Sequence, residues 1–128
     1  MPTVSRENAS QVVRSAGAED RTEEFLGYTV NFVSVLQDAD LAPLLRGLPD
    51  NRCQCPHWGY LFKGKITVSY ADGEEVILPG EAFYMAPGHA PAAEAGTEFV
   101  QFSPSDELGV SMAVMAKNVR EMQELMSA

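Results

Sequence analysis

The feature that most constrains this chain is a series of short apolar segments between residues 60 and 102, each closed by glycine or proline. Tyr60-Leu61-Phe62 ends at Gly64, Ile66-Thr67-Val68-Ser69-Tyr70 at Asp72-Gly73, and Val76-Ile77-Leu78 at Pro79-Gly80. In Ile66, Val68 and Tyr70 the apolar side chains alternate with Thr67 and Ser69, the period of a strand with one face in a core. Asp-Gly is a strong two-residue hairpin signal. Ala82 to Ala86 and Glu98 to Phe102 fit two further strands. Segments this short, this closely spaced and this punctuated predict an all-β sandwich or small antiparallel barrel.

The flanks differ in kind. Residues 1–22 are mostly polar or small, without a sustained apolar period, and read as a flexible N-terminal arm or a short marginal helix. From Phe25 to Leu36, Tyr28, Val30, Phe32, Val33 and Val35 suit a strand, and Asp38 to Leu45 a short helical turn stopped by Gly47 and Pro49. At Ser103-Pro104-Ser105-Asp106 a Ser N-cap, a Pro at the first position and an acidic third position open a helix. Its apolar residues Leu108, Met112, Met115, Val119, Met122 and Met126 recur at spacings of four and three, forming one stripe. The expected organisation is therefore an arm (1–22), a β-barrel (23–104) and a C-terminal helix (105–128) packed on the barrel or on a dimer partner.

A chain of 128 residues suits one domain. The formal net charge of −9, with no basic run to reverse it locally, argues against nucleic acid and anionic membranes as partners. No apolar stretch is long enough to span a bilayer, and the start lacks a signal-peptide core, so the expectation is a cytoplasmic protein. There, thiols stay reduced.

All the cysteines and histidines lie in two places: Cys53-x-Cys55-x-His57, and His89 after Ala86-Pro87-Gly88. Each alone has an ordinary explanation, a buried small thiol or a hydrogen-bonded structural imidazole. Gathered beside a strand and at a Pro-Gly turn, they are what a transition-metal site needs. A disulfide between residues i and i+2 would be strained. In a straight strand Cys53 and His57 would stand about 13 Å apart, so either Pro56 marks a bend that folds the segment round an ion or fewer than three of these side chains bind. Metal-free thiol chemistry is a weaker alternative, because no helix N-terminus or basic cluster is placed beside the cysteines. Glu94 and Glu98 follow His89, and Glu94 is a candidate ligand or general base. Trp58, Tyr60, Phe62, Phe83, Tyr84 and Met85 would wall a barrel, which makes Tyr84 a second catalytic candidate.

From Cys53 to Pro104 the chain resembles the double motif of the cupin superfamily. His57-Trp58-Gly59-Tyr60-Leu61-Phe62-Lys63-Gly64-Lys65 resembles the end of the first motif, Asp72-Gly73-Glu74 the turn between motifs, and Leu78-Pro79-Gly80-Glu81 through His89 the second. In this chain Cys53-x-Cys55 stands near the place of the family's His-x-His, and His57 where its Glu is expected. The family's second-motif histidine falls about two residues after His89, at Pro91. The resemblance implies a small cupin-type barrel with a C-terminal helix and one divalent transition metal held by Cys53, Cys55, His57 and His89, zinc first and iron as the alternative. It also implies a homodimer, a small-molecule ligand, and an enzyme of oxygenase, isomerase or lyase type. The alternative is a non-catalytic cupin with a closed structural zinc site or a binding or sensing role.

Overall fold

A computed structural model describes residues 3–15 and 17–127. The elements run β1 (Gln11–Ser15), β2 (Ala18–Phe25), β3 (Tyr28–Val35), β4 (Ala39–Asp40), two 3-10 turns, β5 (His57–Lys63), β6 (Ile66–Tyr70), β7 (Gly73–Ile77), β8 (Ala82–Met85), β9 (Ala90–Ala93), β10 (Glu98–Pro104) and helix α1 (Ser105–Ser127). They form a six-stranded sheet in the order β1-β2-β3-β10-β5-β8 and a four-stranded sheet in the order β4-β9-β6-β7. Among the described residues every strand pair is antiparallel; β1–β2, β2–β3 and β6–β7 are hairpins, and the other pairs join strands distant in sequence.

Alternation along the strands builds the core between the sheets. Leu61, Phe83 and Met85 of the larger sheet meet Ile66, Val68 and Ile77 of the smaller, with Phe99 packed against them. Gly59 pairs in register with Phe83, and a methyl group there would collide with the Phe83 ring and the Val100 carbonyl. The missing side chain lets an aromatic ring lie flat on the backbone.

The hairpin β6–β7 and strands β8 and β10 fall where the alternation puts them. The N-terminus does not: from Gln11 onward the expected arm is replaced by two strands. Strand β2 reads as polar because its side-chain ties are polar: Glu19 accepts from Arg21 of the same strand at 2.7 Å and from Arg14 of β1 at 2.9 Å, and Asp20 accepts from buried Asn31 of β3 at 3.0 Å. Between β2 and β3, Leu26 and Gly27 both take positive φ (50° and 83°), the geometry of a tight hairpin turn, although leucine gives no turn signal. Strand β9, Ala-Pro-Ala-Ala, carries no strand propensity and is held by its pairing with β6.

The helix start is also corrected. Strand β10 continues through Ser103 and Pro104, and α1 begins at Ser105, whose hydroxyl hydrogen-bonds that of Thr29 at 2.7 Å. The stripe divides: Leu108 and Met115 pack against Leu45, Leu48, Cys53 and Cys55, whereas Met112, Met122 and Met126 are exposed. Polar anchors rotate the helix away from the apolar prediction. Buried Asn118 donates to Leu44 O at 2.6 Å and Arg46 O at 2.9 Å, capping carbonyls of the first 3-10 turn.

Candidate metal centre

Backbone pairing brings the ligands together. Cys53 and His89 form an isolated antiparallel bridge in which Cys53 N–H donates to His89 O at 2.9 Å and His89 N–H to Cys53 O at 3.2 Å. Gly88, at φ +94°, turns the chain after β8 and donates to the same Cys53 carbonyl at 2.8 Å. His57 opens β5 opposite Met85, the last residue of β8, so the turn that follows Met85 carries His89 back beside it. The two rings stand edge to face with centroids 4.9 Å apart.

Cys53, His57 and His89 are all buried, and each presents a ligand atom within 4.8 Å of the other two. Cys53 Sγ lies 3.9 Å from His57 Nε2. Bond lengths of about 2.0–2.3 Å at tetrahedral angles place ligand atoms about 3.3–3.6 Å apart, so small side-chain movements would close the set on an ion.

The outer hydrogen bonds fix which nitrogens are free. His89 Nδ1 is 2.6 Å from Ala86 O, and a carbonyl only accepts, so Nδ1 carries the proton and Nε2 keeps its lone pair. That Nε2 is buried without a hydrogen-bond partner, an arrangement costly in a metal-free core and natural for a ligand. His57 Nδ1 is held by Ser103 Oγ at 2.6 Å, which leaves its Nε2 facing Cys53. Burial, reinforced by the neighbouring His89, pushes the His57 pKa down to about 3. Burial also lowers that of His89, against the opposing Ala86 hydrogen bond. Both rings are therefore neutral at physiological pH, as ligation requires.

Two supporting residues escaped sequence reasoning. Ser103, a helix N-cap by its sequence context, lies fully buried in β10 and orients His57. Ser111, buried on α1, places its hydroxyl 3.2 Å from Cys53 Sγ, so the helix touches the centre directly. Only the alternation of β10 through Ser103 hinted at the first, and no sequence signal marked the second.

The remaining candidates lie elsewhere. Cys55 is buried, but its Sγ turns toward the Pro56 and Pro104 carbonyls at 3.5 and 3.9 Å. Burial, with Cys53 and Glu107 adding and a Ser103 hydrogen bond opposing, pushes its thiol up to about 12. Cys53 and His57 come together on either side of Cys55, whose thiol is turned aside toward these carbonyls. Glu94 is exposed beside Asp38 and Lys65, lining a surface cavity away from the cluster. Tyr84 points outward from β8 and stacks on Trp58 at 5.2 Å. It also borders a cavity of about 370 Å³ between the free edges of β7 and β8, together with Tyr70, Glu75, Glu81 and Phe83. The Tyr70 hydroxyl accepts from Ala86 N–H at 3.2 Å, and the Ala86 carbonyl accepts from His89 Nδ1 at 2.6 Å.

No protein-family model and no curated protein matches the sequence. Solved structures do match in fold. A sugar phosphate isomerase from a cupin superfamily, from Silicibacter pomeroyi, aligns with a TM-score of 0.57 at 14% identity over 80% of this chain and 75% of that one. The polyketide cyclase RemF from Streptomyces resistomycificus aligns with a TM-score of 0.57 at 15% identity, over 82% and 80%. An iron(II) form of HppE aligns with a TM-score of 0.56 at 10% identity, over 80% of this chain and 60% of that one. The chain has the cupin fold, with α1 packed beside a buried cluster of one cysteine and two histidines.

Proposed function

We propose that this cupin-fold chain binds one divalent transition metal through Cys53, His57 and His89, and that it is an enzyme acting on a small organic molecule held against that ion. The observation that carries the reading is the buried, unpartnered Nε2 of His89 converging with Cys53 and His57. One thiolate and two imidazoles suit zinc, and imidazole suits iron as well. Three protein ligands leave a coordination position for an exogenous group, and a bound ion would there act as a Lewis acid toward an oxygen of the small molecule. The named activities of the structural neighbours, isomerase and cyclase, support the small-molecule class without choosing a reaction.

One observation favours a second reading, a closed structural site: α1 covers the cluster, and Ser111 already contacts Cys53. The two readings separate on chelation. Loss of metal with the barrel intact supports exchangeable binding, whereas unfolding on chelation supports a structural ion. The metal assignment itself is tested by elemental analysis of protein made without a polyhistidine tag. Roughly one ion per chain is expected, lost in His89→Ala and in Cys53→Ala. Undiminished metal content in both variants would overturn it.

A further inference from the structure

The barrel is open along one seam. Strand β8 ends the larger sheet and β7 the smaller, so each leaves one edge without a pairing strand, and the turn from Leu78 to Glu81 carries the chain across. Between these edges lies the cavity of about 370 Å³, which none of Cys53, His57 and His89 lines. Its inner part is apolar: Ile77 and Phe83 belong to the core between the sheets. Its polar side chains are two carboxylates and two phenols, with no basic residue among them. Glu75 comes from β7 and Glu81 from the residue before β8, so each sheet edge contributes one exposed carboxylate at the mouth. One oxygen of Glu81 accepts from Leu78 N–H at 2.7 Å, which fixes the side chain. Among the described residues no Lys or Arg pairs with either carboxylate.

We infer that this cavity is a second binding site, separate from the metal centre, for a small organic cation whose ammonium group meets Glu75 and Glu81 and whose carbon skeleton lies on Ile77 and Phe83. Carboxylates only accept, so the groups at the mouth call for a donor, and a charged nitrogen supplies the strongest one. The rings of Phe83 and Tyr84 present π-electrons that also attract a cation. An anion meets two like charges here, in a chain whose net charge of −9 already repels it. The volume falls at the small end of ligand cavities, which suits a free amine. Tyr70 adds a polar contact at the inner end. Its oxygen accepts from Ala86 N–H at 3.2 Å, which leaves its own proton to donate to the ligand. Burial, opposed by the Ala86 hydrogen bond and reinforced by Glu75 and Tyr84, raises the Tyr70 pKa, so that proton stays in place at neutral pH.

The probe is phenethylammonium, with 2-phenylethanol as its neutral counterpart and 3-phenylpropionate as the anion. Each is titrated into the full chain by calorimetry and by amide-resolved NMR, in which the Ala86 amide reports on Tyr70 and the Glu75 amide on the mouth. The ammonium should shift both amides and bind at least about tenfold more tightly than the alcohol, and the carboxylate should not bind. Glu75→Gln and, independently, Glu81→Gln, which keeps an acceptor for Leu78 N–H, should each weaken the ammonium by about tenfold and leave metal content unchanged. If one variant fails to fold, the other and the three-probe series still decide. A blocked peptide carrying one lysine tests the other source of the same cation: tighter binding than the free amine places the ammonium on a protein partner, weaker binding on a small molecule. Equal binding of ammonium and alcohol overturns the proposal. So does undiminished binding in both variants, or an ammonium that shifts neither amide at millimolar concentration.

Discussion

Acidifying the metal-free protein should destabilise it, with a slope set by the buried imidazoles. In the unfolded chain His57 titrates near its ordinary 6.5; in the folded protein burial holds it at about 3. A folded pKa below the unfolded one means the unfolded state binds the extra proton, so stability is full above about pH 6.5 and falls as pH drops toward 3. Between pH 7 and pH 5 one such histidine costs about 2 kcal/mol. His89, lowered by burial as well, acts in the same direction. Asp20, whose carboxyl burial pushes up against the Asn31 hydrogen bond, acts with opposite sign, equally in wild type and variant, so the difference between the two isolates His57. The assay is urea unfolding at pH 7, 6 and 5 with a strong chelator present, on wild type and on His57→Gln, which removes the titrating group and keeps a polar side chain beside Ser103. The wild type should lose at least about 2 kcal/mol over this range and the variant about 2 kcal/mol less. A wild-type stability flat between pH 7 and 5, or a variant with an equal slope, would show that the imidazoles are solvated and that the closed geometry around His89 is wrong.

Two further outcomes test the surroundings of the centre. Ser111→Ala should leave helix content unchanged and weaken metal binding by about tenfold or more in competition with a chelating dye, because the Cys53 thiolate loses a hydrogen-bond donor; unchanged affinity would reduce Ser111 to packing. Gly59→Ala should cost on the order of 2 kcal/mol in urea unfolding, since its methyl group meets the Val100 carbonyl and the Phe83 ring; an unshifted midpoint would show that the ring does not rest on this backbone.

The strands legible in the sequence are those whose local chemistry agrees with their tertiary setting. Ile66 to Tyr70 alternates because its inner side chains are core and its outer ones are not, and the Asp72-Gly73 turn agrees with the pairing of β6 and β7. Strands β1 and β2 were illegible for the opposite reason. They lie at the edge of the six-stranded sheet, where little apolar burial is available, and charged pairs such as Arg14 with Glu19 replace it. Periodicity counts apolar residues, so a strand held by ion pairs and backbone bonds reads as an arm. The helix was visible but its orientation was not: the stripe of methionines predicted the packing face, whereas Asn118 and Ser111, bonded to loop carbonyls and to a thiol, set it.

The same division runs through the metal centre. Ligand types and their clustering are sequence facts, and three of the four expected residues do converge. Which three depends on a backbone bridge between residues 53 and 89 that no local pattern encodes. Once Cys53 is pinned opposite His89, the bend at Pro56 decides between the cysteines. Cys53 faces the rings, and Cys55, two residues on, turns into the apolar layer beneath α1 and toward the Pro56 and Pro104 carbonyls. The choice has a consequence for chemistry. A second thiolate would complete a tetrahedron and close the site, whereas Cys55 turned toward the Pro56 and Pro104 carbonyls would leave a bound ion with three protein donors. The reactivity proposed for this protein therefore rests on how β5 begins: if Cys55 were free to swing inward and ionise, the same ligands would make a structural zinc site instead.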